Sequence, residues 1–93
     1  MELIYEFKYH PDVVKKDIKR LDVHVRNQIK SAIEQKLTGH PETFGVPLRR
    51  SLKGYRKLRV NDYRVVYKIE LQTVFIMAIL HRSVVYKVSK KRN

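Results

Sequence analysis

Six side chains in the C-terminal half carry the chemistry this sequence offers: Lys57, Arg59, Arg64, His81, Arg82 and Tyr86. They combine cations that grip an oxyanion, an amine and an imidazole that can move protons, and a phenol. Arginines held on one face repel each other unless an anion lies between them. Phosphate suits that place, because each guanidinium can donate two parallel hydrogen bonds to its oxygens. The chain has no Cys, so thiolate chemistry, disulfides and thiolate metal sites are excluded.

The segment YRKLRVNDYRVVYK, residues 55–68, must position the first three. It reads as two strands joined by a two-residue Asn61-Asp62 loop. That loop sets Val60 against Tyr63, Arg59 against Arg64, Leu58 against Val65, Lys57 against Val66, Arg56 against Tyr67 and Tyr55 against Lys68. Alternation then gives one face of Leu58, Val60, Tyr63, Val65 and Tyr67, with Arg56 at its end. The other face carries Tyr55, Lys57, Arg59, Arg64, Val66 and Lys68. The first is core; the second is a cationic platform. Like charges directly opposite each other cost a few tenths to about 1 kcal/mol, so Arg59 opposite Arg64 is informative. A longer loop would shift the register and part them.

His81, Arg82 and Tyr86 follow a strand over 73–81. At a strand end Arg82 can add a third guanidinium, His81 a titratable imidazole, and Tyr86 a ring on which a base stacks. Each also has a plainer role: His81 as a hydrogen-bonded strand end, Tyr86 as an aromatic anchor for the tail.

The remaining elements supply a frame. ELIYEFKY is a first strand with Leu3, Tyr5 and Phe7 on one side. Pro11 suits a first helical turn, and Val13, Val14, Ile18 and Leu21 follow helical spacing. Asp22 is an N-cap for a second helix with Val25, Ile29, Ala32, Ile33 and Leu37 inward, and Gly39 fits its end. Residues 40–54 read as a connection pinned by Phe44, Leu48 and Leu52. Strands follow at 55–60, 63–69 and 73–81, and SVVYKVSKKRN is a short helical turn that frays. The order β-α-α-β-β-β predicts an α+β fold, a small antiparallel sheet with two N-terminal helices packed on one face. Its other face is then open or covered by a partner, and residues 1–93 form a single domain.

Charge is unevenly spread. Residues 46–93 hold 13 Lys/Arg and 2 Asp/Glu, so 11 of the 12 net positive charges lie there. Such segregation favours a polyanionic partner, nucleic acid or an acidic protein. The longest apolar stretch, VFIMAIL, is far short of a membrane span, and no secretory h-region opens the chain; a cytoplasmic protein with no membrane partner is expected.

GYRKLRVNDYRVVY, then HR, then VYK, resembles the core of the RelE/ParE toxin superfamily, with DYRVVY the most specific piece. The likeness extends over essentially the whole chain and implies the same small sheet with two helices. RelE-like members cut messenger RNA in the ribosomal A site; ParE-like members inhibit DNA gyrase. The resemblance implies a toxin of a type II toxin-antitoxin system, a free monomer that forms a hetero-oligomer with a cognate antitoxin. Matched by position, Lys57, Arg59, Arg64, Arg82 and Tyr86 correspond to the residues RelE-like nucleases use, and ParE-like members generally lack the full set. His81 joins the catalytic candidates through its titratable imidazole. Tyr55, Arg56 and Lys68, with Arg49, Arg50 and Lys53 of the PLRRSLKGY approach, are expected to hold RNA. The pattern often has a second lysine where Arg59 stands, and a one-residue adjustment would exchange Lys57 with Arg56.

No dense Asp/Glu/His cluster suggests a divalent ion, so neither metal nor cofactor is expected. Cleavage would then use the substrate's own 2′-hydroxyl, needing a base, a stabiliser of phosphorane charge and an acid for the leaving 5′-oxygen. Arg59 and Arg64 are assigned to grip the phosphate and Arg82 to stabilise the transition state. The base is Lys57, with His81 as rival base or acid. The ribosome would hold the message in place, and an antitoxin segment covering residues 46–93 would have to be acidic. A ParE-like gyrase inhibitor, a non-catalytic RNA- or ribosome-binding protein, and an inactive toxin that still binds its antitoxin are the alternatives.

Overall fold

The computed structural model describes residues 4–93; Leu3, read as part of the first strand, lies outside the described residues. Strand β1 is Glu6–Tyr9. Helix α1 is a π-helical turn, Val13–Asp17, running into Ile18–Arg20. Helix α2, Val23–Ala32, continues through a second π-helical turn, Ile33–Leu37. Asp22 caps it as its residue type predicts, the carboxylate accepting from the Val25 N–H at 2.9 Å. Strands β2 (Val46–Pro47), β3 (Tyr55–Val60), β4 (Tyr63–Glu70) and β5 (Thr73–His81) follow, then helix α3, Val85–Arg92.

The five strands form one sheet in the order β1-β5-β4-β3-β2. All pairs are antiparallel except β1 with β5, which is parallel. The expected antiparallel sheet is therefore mixed at one edge, because the two helices carry the chain from β1 across a face before the hairpins begin. On that face α1 and α2 place Val13, Leu21, Ile29, Ile33 and Leu37 against Leu58, Val65, Tyr67, Val74 and Ile79.

The opposite face is not left open. Leu52, Tyr55, Val66, Met77, Leu80 and Val85 form a second core beneath α3. The tail does not fray, because Val85 and Ser89 are fully buried and Tyr86 and Val88 pack beside them. A bulge sets which β5 side chains reach each face. Val66 pairs with Ala78 and Tyr67 with Ile76, leaving Met77 as the extra residue. Met77 and Ala78 consequently share the α3 face, and every side chain after them is switched relative to an unbroken strand.

Candidate functional site

The hairpin register is the one its two-residue loop dictates: Arg59 pairs with Arg64, and Lys57 with Val66. Asn61 takes the left-handed conformation such a loop requires, at φ 54°. Its side-chain amide donates to Gln28 Oε1 at 2.8 Å, which fastens the loop to α2.

Lys57, Arg59 and Arg64 project to the α3 face. The bulge sends Leu80, opposite Arg64, to that face too; Arg82 lies just past the end of β5, in the turn that leads to α3. The Arg82 N–H donates to the Asp62 carbonyl at 2.8 Å, which fixes its backbone beside the hairpin tip. Tyr86, in the first turn of α3, meets Lys57: the ammonium donates to the phenolic oxygen at 3.1 Å and lies 5.5 Å from the ring centroid. Arg64 is nearly buried, and its Nη1 donates to the Asn61 and Tyr63 carbonyls, both at 2.9 Å. Arg59 and Arg82 are exposed, and among the described residues no hydrogen bond or ion pair holds their side chains. Lys57, Arg59, Arg64 and Tyr86 thus share one end of one face, and the turn that carries Arg82 lies beside the hairpin tip.

The other expected residues lie elsewhere. His81 pairs with Tyr63, and the bulge turns it to the α1/α2 face that Tyr63 occupies through the hairpin register, where their rings meet edge-on at 5.5 Å. The His81 Nδ1 accepts from the Ser83 N–H at 3.1 Å, so in the neutral ring the lone pair a base would use is engaged. His81 is the strand end, not a neighbour of Lys57. Arg56 also faces the helices, and its Nη2 donates to the Glu42 and Gly45 carbonyls at 3.0 Å each. The exchange of Arg56 with Lys57 is ruled out by this register, because one residue changes the face.

Tyr55 lies in the second core, and its hydroxyl donates to Asn93 Oδ1 at 3.2 Å. Lys68 pairs with Tyr55, roughly 13 Å along the strand from Arg64. Arg49, Arg50 and Lys53 are exposed on the turn before β3, at that same far end. The expected continuous RNA platform is therefore divided: α3 covers its middle.

Phe44 and Lys36 were not expected here. Both line a shallow cleft of about 440 Å³ with Lys57, Arg59, Arg64 and Gly45. Phe44 is 37% exposed, with Lys36 Nζ 5.8 Å from its ring centroid. In sequence Phe44 resembles any apolar residue pinning a loop. The contacts that present it are long-range. The Tyr67 hydroxyl is 2.7 Å from the Pro41 carbonyl and 2.5 Å from that of Phe44. Burial pushes the Tyr67 phenol's pKa up, partly offset by Arg56, so it remains a donor to these carbonyls. Gly45 has φ 86°, and a Cβ there would meet the Tyr67 hydroxyl and lie 3.0 Å from the Lys57 carbonyl.

Residues 7–86 match the family model described as ParE toxin of type II toxin-antitoxin system, parDE. Toxin RelE of Mycobacterium tuberculosis is 33% identical over 79 residues, spanning 83% of this chain and 81% of that protein. The toxin–antitoxin complex RelBE2 from the same species contains a chain of the same shape, with TM-score 0.77 at 26% identity over 87% of this chain and 94% of that one. A mutant of Escherichia coli toxin RelE in the free state shares the fold, with TM-score 0.73 at 24% identity over 96% and 97%. The matched span takes in both helices, the cationic hairpin and the start of α3, and on that basis the chain belongs to the RelE/ParE superfamily of type II toxins.

Proposed function

We propose that this toxin is a ribosome-dependent endoribonuclease that cuts messenger RNA in the A site by attack of the substrate's 2′-hydroxyl on the adjacent phosphate. The observation that carries the reading is the Lys57–Tyr86 hydrogen bond on the face that also holds Arg59 and Arg64, with Arg82 in the turn beside the hairpin tip. An amine and a phenol in contact can pass protons, and guanidiniums beside them stabilise the charge of a phosphorane. Lys57, as the neutral amine, takes the 2′-hydroxyl proton. Arg59 and Arg82 hold the phosphate oxygens, and Arg64 adds charge from beneath. Tyr86 supplies a proton to the leaving 5′-oxygen and recovers one from the Lys57 ammonium. Phe44 offers a face on which a base stacks. So few groups hold RNA poorly alone, and the ribosome supplies the positioning.

By analogy with the RelBE2 complex, the chain is held by a cognate antitoxin. With 11 net positive charges over residues 46–93, the segment that covers this half is acidic, since buried arginines left unpaired are costly. A cytoplasmic location accords with this reading. The match to the ParE-toxin model favours a second one, a gyrase inhibitor for which the cationic face is a docking surface.

A cleavage map separates the two. Purified toxin is added to ribosomes stalled on a defined message with an empty A site, and 5′ ends are read by primer extension. Cutting within the A-site codon is expected, lost without ribosomes and reduced at least about 10²-fold by Arg82→Ala. Intact message from toxin that still produces gyrase-dependent DNA breaks would establish the second reading.

A further inference from the structure

Asp17 sits within KKDIKR, which reads as a solvated helical face, yet its carboxylate is fully buried. It accepts from Arg92 Nη1 at 2.7 Å and Nη2 at 2.8 Å, and from the Ile79 N–H at 3.0 Å. Arg92 Nη1 also donates to the Met77 carbonyl at 3.1 Å. These two backbone groups belong to the β5 edge just past the point where β1 ends, Tyr9 being paired with Ile76. The ion pair therefore completes the sheet edge where a strand is missing. It also joins α1, on one face, to the last turn of α3, on the other.

A buried pair of this kind is a poor way to gain stability, since well-packed apolar residues often do as well, but it fixes geometry. α3 needs that. It has eight residues and no side-chain hydrogen bond at its N-cap, too short a helix to persist alone. Val85 holds one end and Arg92 the other, and Tyr86 follows Val85, about 9 Å along the helix from Arg92.

We infer that the Asp17–Arg92 pair is a positioning device for the candidate site, setting the register of α3 so that the Tyr86 hydroxyl meets Lys57. Its effect on cleavage rests on the nuclease reading; its effect on Tyr86 does not. The Asp17 side chain is fully buried and that of Arg92 is 7% exposed, so both act through the phenol.

The test is a rate cycle with a spectroscopic arm. Single-turnover cleavage on saturating ribosomes is measured for Arg92→Ala and Arg92→Lys, each alone and combined with Tyr86→Phe. Arg92→Ala is expected to slow cleavage about tenfold with ribosome affinity unchanged, and Arg92→Lys, which keeps the charge but loses the bidentate geometry, to slow it less. In the Tyr86→Phe background the Arg92→Ala loss should shrink to under about twofold. An equal loss in both backgrounds, or none in either, overturns the inference. If Arg92→Ala fails to fold, Arg92→Lys carries the same comparison. In parallel, NMR follows the Tyr86 ring and the Lys57 ε-methylene. Both should shift in the Arg92 variants while Ile29 and Val65 methyls stay in place; an unmoved Tyr86 overturns the inference. Toxin that cuts nothing but shows the shift removes the nuclease reading and sustains the positioning one.

Discussion

Two lysine–tyrosine pairs lie on the same face of the sheet and differ in what else surrounds the ammonium. Lys57 Nζ is 5.5 Å from the Tyr86 ring centroid, and Lys68 Nζ is 5.4 Å from that of Tyr55. Lys68 also meets Glu70 Oε1 at 2.7 Å. That hydrogen bond, with the Glu70 charge, raises its pKa, so Lys68 is a fixed cation. Lys57 has no carboxylate within 4 Å among the described residues, only a hydroxyl and neighbouring cations. The lesson is that residue type selects the candidates and the neighbour on the next turn or strand decides among them. An ammonium clamped by a carboxylate gives up its proton reluctantly, whereas one held by a phenol can exchange it.

The sharpest way to break this comparison is to truncate both lysines. Lys57→Met should lower the A-site cleavage rate by roughly 10³-fold, within the usual range for removing a general base. Lys68→Met should leave it within about twofold, as for an exposed charge far from the reacting atoms. Similar losses at both would mean the face acts as a diffuse cationic surface. Tyr86→Glu sharpens the point by giving Lys57 the carboxylate that Lys68 has. The clamped ammonium would then be unavailable as a base, and the rate should fall about 10²-fold and recover partly at higher pH. A Tyr86→Glu rate equal to wild type at neutral pH would remove the proton-transfer role from both residues.

Aromatic rings allow the same contrast with a smaller effect. Phe44→Ala should weaken productive RNA binding about tenfold, as expected for loss of one stacked base. Tyr55→Phe, which removes only the bond to Asn93, should leave cleavage unchanged. The readout is the toxin concentration dependence of cleavage, because stacking changes binding more than the chemical step.

The division between these two ends was partly legible in the sequence. Asn61-Asp62 between alternating strands fixes every pair of the hairpin, and with it the face that Lys57, Arg59 and Arg64 share. Capping by Asp22 and the helical stripes follow from local rules of the same kind. The β5 bulge was not legible, because Ile76, Met77 and Ala78 are apolar on both faces and alternation gives no sign of an inserted residue. The sequence puts His81 with Arg82 in one site, whereas the bulge turns His81 to the α1/α2 face. α3 was hidden for a different reason. Its charged sequence resembles a fraying tail, and what holds it is long-range: Val85 in the second core and the bond from Arg92 to Asp17, 75 residues away. Phe44 likewise depends on Tyr67 and Arg56 reaching back to its loop.

The smallest effect tests the far end alone. The Lys68 hydrogen bond lowers the Glu70 pKa, so the carboxylate's contribution to stability is present above its unfolded value and lost as pH falls through the folded one. Lys68 is raised, so its own contribution is complete below its unfolded pKa and lost as pH climbs through the folded value. The pair therefore acts across the neutral range and fades at both extremes. Glu70 is exposed, so the contribution is small and screened by salt. Glu70→Gln should lower the urea midpoint slightly at neutral pH and low salt, and match wild type in strong acid or molar salt. An unchanged gap in acid would show that the substitution acts through something other than the ion pair. Cleavage should stay at the wild-type rate throughout, since freeing Lys68 from its carboxylate does not bring it to the site. A faster or slower cut in Glu70→Gln would mean that the two ends of the hairpin are one surface after all.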